Sequence, residues 1–157
     1  MTAASDLLRA DHRSIEAHLD YLLAALLHLT AARIGVVREH FEEIRRLARA
    51  HFVREEDVFY PSLRALDPAL LARMDAEHED TRLKEQYLGE LLASLPEAPT
   101  ERDLVELHRL GIDFHDAVQT HIIDEEDYLL EFADRVLSEE EQGQLVVRMQ
   151  QLTSAAA

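Results

Sequence analysis

Four stretches of this sequence repeat apolar residues at alternating spacings of three and four, and each is interrupted on its own seam by histidine or glutamate. The spacing is that of helices packed in a bundle, with one apolar stripe facing a shared core. His12, His51, Glu55, His78, His121 and Glu125 hold seam positions where leucine or isoleucine is the ordinary choice. Six ionisable side chains in one core are costly unless something neutralises the carboxylates and takes up the imidazole lone pairs. A metal cluster does both.

The first helix is predicted from about Ser5, read as its N-cap, to about Leu29, with Leu8, His12, Ile15, Leu19, Leu22 and Leu26 on its seam. The second carries Ile34, Val37, Phe41, Ile44, Ala48, His51, Glu55, Val58 and Ser62. Pro61 is expected to end or kink it just after Tyr60. The third opens at Asp67-Pro68 and aligns Leu71, Met74, His78, Thr81, Glu85, Leu88, Leu92 and Leu95. Thr100 with Asp103 resembles a capping box for the fourth, whose seam runs through Leu104, Leu107, Gly111, Phe114, Val118, His121, Glu125, Tyr128 and Phe132. Ser138 with Glu141 caps a shorter fifth helix, and the last five residues are expected to fray.

The fold class that follows is all-α: an up-down-up-down four-helix bundle with a short fifth C-terminal helix. Residues 1–157 read as a single domain, with the core bundle at about 5–135 and the last helix at about 138–153. With only 4 Gly and 4 Pro, the chain has few of the turns an all-β fold needs. A net charge of -16 disfavours nucleic acid and anionic membrane surfaces as partners. The absence of cysteine removes disulfides, thiolate metal sites and iron–sulfur clusters. No basic region followed by an apolar run opens the chain, so a cytoplasmic location is the expectation.

Helix heights can be compared from the sequence. His12 lies 19 or 20 residues before the first turn, and His51 as many after it. Across the other two turns the candidates are mismatched by a few residues, within about one helical turn at ~1.5 Å per residue. All six candidates therefore share one layer. In the pairs His51/Glu55 and His121/Glu125 a spacing of four stacks both side chains on one face. A Glu from each of two helices can bridge two metals while imidazoles fill terminal positions.

A lone seam histidine is more often a hydrogen-bonded core residue than a ligand, and a lone His-x-x-x-Glu is commonly a surface pair. The coincidence of all six on one level argues against both readings. His18, His28, His40, His108 and His115 lie off the seams and read as surface residues. Glu16 flanks the first seam, as a possible ligand or outer acceptor for His12. Tyr60 would be a good ferric ligand, but an ideal helix points it away from the seam.

These residues resemble the hemerythrin-like, or HHE cation-binding, domains, which are four-helix bundles holding two non-haem irons. The resemblance rests on Asp11-His12, on His51 to Glu55 followed by Tyr60-Pro61, on Glu77-His78, and on His121 to Glu125, and covers roughly residues 5–135. It is similar in particular to mycobacterial-type members, in which Tyr-Pro follows the second-helix motif. The resemblance implies two iron ions with an oxo or hydroxo bridge, though manganese and zinc suit the same donors. It implies a small-molecule oxidant as partner: hydrogen peroxide, dioxygen or nitric oxide. Oxygen carriers of the family place a further His where this chain has Met74. That loss favours reaction over reversible storage, so peroxide decomposition is the leading expectation and a non-turnover binder or sensor the alternative. The expected assembly is a monomer or weak homodimer.

Overall fold

The computed structural model describes residues 2–156, with side chains described as far as Leu152. All regular structure among the described residues is helical: α1 (Ala4–Leu27), α2 (Ile34–Arg54), α3 (Tyr60–Leu63), α4 (Pro68–Ser94), α5 (Glu101–Asp124), α6 (Glu131–Val136) and α7 (Glu139–Ala156). A 3-10 turn at Ala31–Arg33 leads into α2. Two π-helical turns, Glu55–Phe59 and Glu125–Leu130, run α2 into α3 and α5 into α6. The bundle therefore has four rods, with α1 against α2 and α5, α4 against α5, and α4 only sparsely against α2. No helix is long and apolar enough to cross a membrane among the described residues.

Most predicted caps are formed. Asp67 accepts from the Leu70 N–H at 3.1 Å. Thr100 and Asp103 exchange bonds of 3.1 and 2.8 Å, and Ser138 and Glu141 bonds of 3.1 and 2.7 Å. Ser5 is a correction. The N-cap of α1 is Ala3, two residues earlier, and the Ser5 side chain is buried, donating to Asp134 on α6 and so tying the two helices together. The C-terminal helix is helical through Ala156, and the fraying expected of the last five residues extends to Ala157, outside the described residues.

Two apolar clusters fill the bundle. One gathers Ile15, Leu19, Phe41, Ile44, Leu88 and Phe114. The other gathers Leu8, Phe59, Tyr60, Leu71, Met74 and Leu130, and α7 closes its end with Leu145 and Met149. The six seam candidates lie in the layer between them: His12 is flanked on α1 by Leu8 of one cluster and Ile15 of the other.

The π turns change the expected seams. A π turn inserts one residue into the helical repeat and rotates everything after it. After Glu55 the buried residues are Val58, Phe59, Tyr60 and Leu63, and Ser62 moves off the core line. After Glu125 they are Leu129, Leu130 and Ala133, while Tyr128, expected on the seam, is 52% exposed. Pro61 does not break the helix. It falls at the start of α3, where a missing N–H is tolerated.

Candidate metal centre

α1, α2, α4 and α5 each deliver one imidazole to the central layer, and the two π turns begin on its two glutamates. His12, His51, Glu55, His78, His121 and Glu125 are all buried, none more than 2% exposed. Their donor atoms form two groups, His12/His51 and His78/His121, each completed by the same Glu55 and Glu125, with all atoms of a group within 4.8 Å of one another. Inside each group the two Nε2 atoms face each other, at 3.1 Å for His12 and His51 and 3.0 Å for His78 and His121.

Each carboxylate is divided between the groups. Glu55 turns Oε1 to His51 Nε2 at 2.6 Å and Oε2 to His78 Nε2 at 2.9 Å. Glu125 turns Oε1 to His12 Nε2 at 3.2 Å and Oε2 to His121 Nε2 at 3.1 Å. Despite these short separations, Oε1 of both glutamates is buried with no hydrogen-bond partner. Buried carboxylate oxygens that lack a hydrogen-bond donor, within a group of such donor atoms, suit a cation.

The outer nitrogens of the rings form a second circle. His51 Nδ1 lies 3.0 Å from Asp11 of α1, and His78 Nδ1 lies 3.0 Å from Glu56 of the first π turn. His121 Nδ1 lies 3.3 Å from Glu77 of α4. His12 Nδ1 faces Glu126 of the second π turn at 3.7 Å, too long for a hydrogen bond. Each carboxylate adjoins one site residue in sequence and faces the ring on the next rod; Asp11, Glu56 and Glu77 hold theirs by hydrogen bonds. Each is in turn met by an arginine: Asp11 by Arg54, Glu56 by Arg82, Glu126 by Arg13 at 2.9 Å and Glu77 by Arg73 at 3.8 Å. A carboxylate on Nδ1 fixes the tautomer that leaves Nε2 free for a metal.

A bundle with this donor set is matched over residues 3–133 by the hemerythrin HHE cation binding domain. The chain belongs to that family. Comparison with curated proteins and with solved structures finds no match. As an HHE domain with two buried His/Glu groups, the chain is a metal-binding protein, and the imidazole–carboxylate donors suit iron.

Charge in the HHE layer is strongly coupled. Burial opposes a charged His51, but Glu55, Asp11 and Glu125 outweigh it and hold the ring well above its ordinary 6.5. His121 is also held well above it, with burial overcome by Glu125, Glu55 and Glu77. Burial pushes Glu125 up, yet its contacts with Glu55, His12 and His121 hold it well below the ordinary 4.5. Glu55 is lowered: burial and Glu125 raise it, and His51 and His121 prevail. A cation entering this layer would compete with protons for His51 and His121.

Tyr60 is the residue the sequence undervalued. The π turn swings it onto the seam, where it is fully buried. Its hydroxyl donates to Glu125 Oε2 at 2.8 Å and lies 3.0 Å from His78 Nε2 and 3.4 Å from Glu55 Oε2. Burial, with Glu125 and Glu55 beside it, pushes the phenol well above its ordinary 10. Glu16 stands outside, half-buried and paired with Arg13 at 3.3 Å. Met74 is fully buried in the apolar cluster that holds Tyr60.

The remaining histidines divide. His28 and His108 are exposed as expected. His18 and His40 are half-buried partners, Nδ1 to Nδ1 at 2.9 Å. His115 corrects the surface reading: it is only 8% exposed, with Asp116 2.9 Å from its Nδ1. The sequence reading gave no role to Asp11, Glu56, Glu77 and Glu126. A signal was present, since His-x-x-x-Glu-Glu-Asp occurs twice, at residues 51–57 and 121–127, and its second glutamate is the outer partner each time. Phe52 was missed as well. Its ring stacks on His78 with centroids 3.8 Å apart.

Proposed function

We propose that the chain is a di-iron protein that decomposes hydrogen peroxide, two molecules giving one dioxygen and two waters. The observation that carries this reading is the division of Glu55 and Glu125, each with one oxygen toward each histidine pair. In this reading Glu55 and Glu125 would be shared by both irons, and His12, His51, His78 and His121 would complete the protein ligands. Tyr60 adds an oxygen donor on the His78/His121 side, where Met74 offers none. Four protein donors in one half and five in the other are both short of an octahedral set, which leaves exchangeable positions. The irons would supply the two-electron capacity that takes electrons from one peroxide and returns them to another. The protein's part is to orient the imidazoles through the outer carboxylates, to exclude bulk water with two apolar clusters, and to offer the Tyr60 oxygen beside His78 and Glu125.

Anaerobic reconstitution followed by elemental analysis tests the metal count, with two irons per chain expected. Glu55→Ala or Glu125→Ala should lose metal, activity and stability together, whereas His28→Ala and His108→Ala should retain full metal. The loaded protein should evolve oxygen from peroxide over many turnovers, and Met74→His should slow that turnover and lengthen the life of an oxygen adduct. Reversible dioxygen binding, with turnover no higher than that of free iron, would instead establish a carrier or sensor.

A further inference from the structure

Two surface depressions approach the metal layer, and they differ in charge and in what they meet. One is a cleft of about 460 Å³ between α2 and α4, where the two rods pack sparsely and Ala48, Gly89 and Ala93 leave room. Three arginines line it, Arg45 and Arg49 paired with Glu85 and Arg82 with Glu56 and Glu79, and Glu90 stands beside them. Its inner wall is Phe52, 7% exposed. That ring is stacked on His78 at 3.8 Å and 17°, and sets its edge to His121 at 5.8 Å. The guanidinium carbon of Arg82 lies 5.5 Å from the ring centroid. One phenyl ring thus separates the cleft from two ligand imidazoles.

The other depression, about 230 Å³ between α4 and α5, is lined by Glu77, Asp80 and Asp116 against Lys84. It reaches His121 from the side where Glu77 holds Nδ1, the nitrogen facing away from the layer. The carboxylate-rich mouth repels an anion more strongly than the cleft, whose arginines offset the carboxylates beside them, in a chain of net charge -16.

We infer that the α2–α4 cleft is the access route for small anionic and dipolar ligands, and that Phe52 is the gate that admits them by size. The inference deepens the di-iron reading by assigning how its ligands arrive. Phe52 has no hydrogen bond to hold it, and rotation about its side-chain bonds opens a path from the cleft to the edge of His78 and His121. A molecule of peroxide size passes with a modest ring displacement, while larger reductants and chelators are stopped at the ring.

Stopped-flow binding of azide to the di-ferric protein tests this. Phe52→Ala should raise the association rate, and Gln86→Trp, which fills the cleft from an exposed position, should lower it, each by about tenfold on the scale over which related complexes vary. Ala117→Trp, filling the α4–α5 depression, should leave the rate unchanged. Slowing by Ala117→Trp and not by Gln86→Trp would overturn the route, as would a wild-type di-iron protein that takes up no azide. If Phe52→Ala fails to fold, the two tryptophan variants still decide the matter. Wild type that binds azide through the cleft but leaves peroxide intact would defeat the peroxide reading and leave the route standing.

Discussion

Each histidine of the metal layer divides its work between two nitrogens, one toward the centre and one toward a carboxylate on another rod. Losing that carboxylate frees the ring to rotate and to take the wrong tautomer. Glu56→Gln should therefore weaken iron binding by about 10–100-fold, read by competition with a chelator, while the helical fold persists. Tyr60 makes a different prediction. With its oxygen 3.0 Å from His78 Nε2 and 2.8 Å from Glu125, a bound ferric ion would receive phenolate. The di-ferric protein should show a visible phenolate-to-iron band, and Tyr60→Phe should remove it with two irons still bound. A spectrum unchanged by that substitution would place Tyr60 outside the coordination sphere.

At the scale of elements, the π turns decide which residues face the candidate metal layer. Both begin at the glutamate of a His-x-x-x-Glu-Glu-Asp stretch, and each lets its second glutamate reach an imidazole on the next rod. Regular α-helical counting predicts the seams correctly up to Glu55 and Glu125 and misplaces Tyr60, Ser62 and Tyr128 beyond them, because a one-residue insertion is invisible to a fixed period. α7 acts as a cover for the cluster behind the first π turn. Met149, fully buried there, should cost about 2–5 kcal/mol on substitution by alanine, measured by denaturant unfolding. Because Met149 is not among the donor atoms, iron stoichiometry should be unchanged.

For the whole molecule, the coupled charges predict how stability depends on pH. Glu55 and Glu125 titrate below their ordinary 4.5 when folded, so their contribution is present above that value and is lost as pH falls through the lowered values. His51 and His121 titrate above 6.5, so theirs is complete below 6.5 and is lost as pH rises through the raised values. Metal-free protein should therefore be most stable between about pH 4.5 and 6.5. Iron-loaded protein should show the opposite slope above 6.5, since protons compete with the metal for the same nitrogens. Urea midpoints of the two forms across that range check both signs, and equal slopes would mean the imidazoles do not carry the metal.

The sequence alone determined the helical bundle, the layer at which the six polar seam residues meet, and the family they resemble. Those properties follow from the helical period and from residue counts between turns, and both are local quantities. Three features were decided only by tertiary structure. The burial of Tyr60 depends on a π turn whose benefit lies in packing against other rods. The carboxylate circle pairs residues 22 to 44 positions apart in its three hydrogen-bonded links, and no seam count brings these together. The charge and depth of the cleft at Phe52 come from how two successive rods pack against each other. Periodicity identifies which side chains face inward. Which nitrogen points at a metal, and which ring stands between it and solvent, is set by contacts between rods.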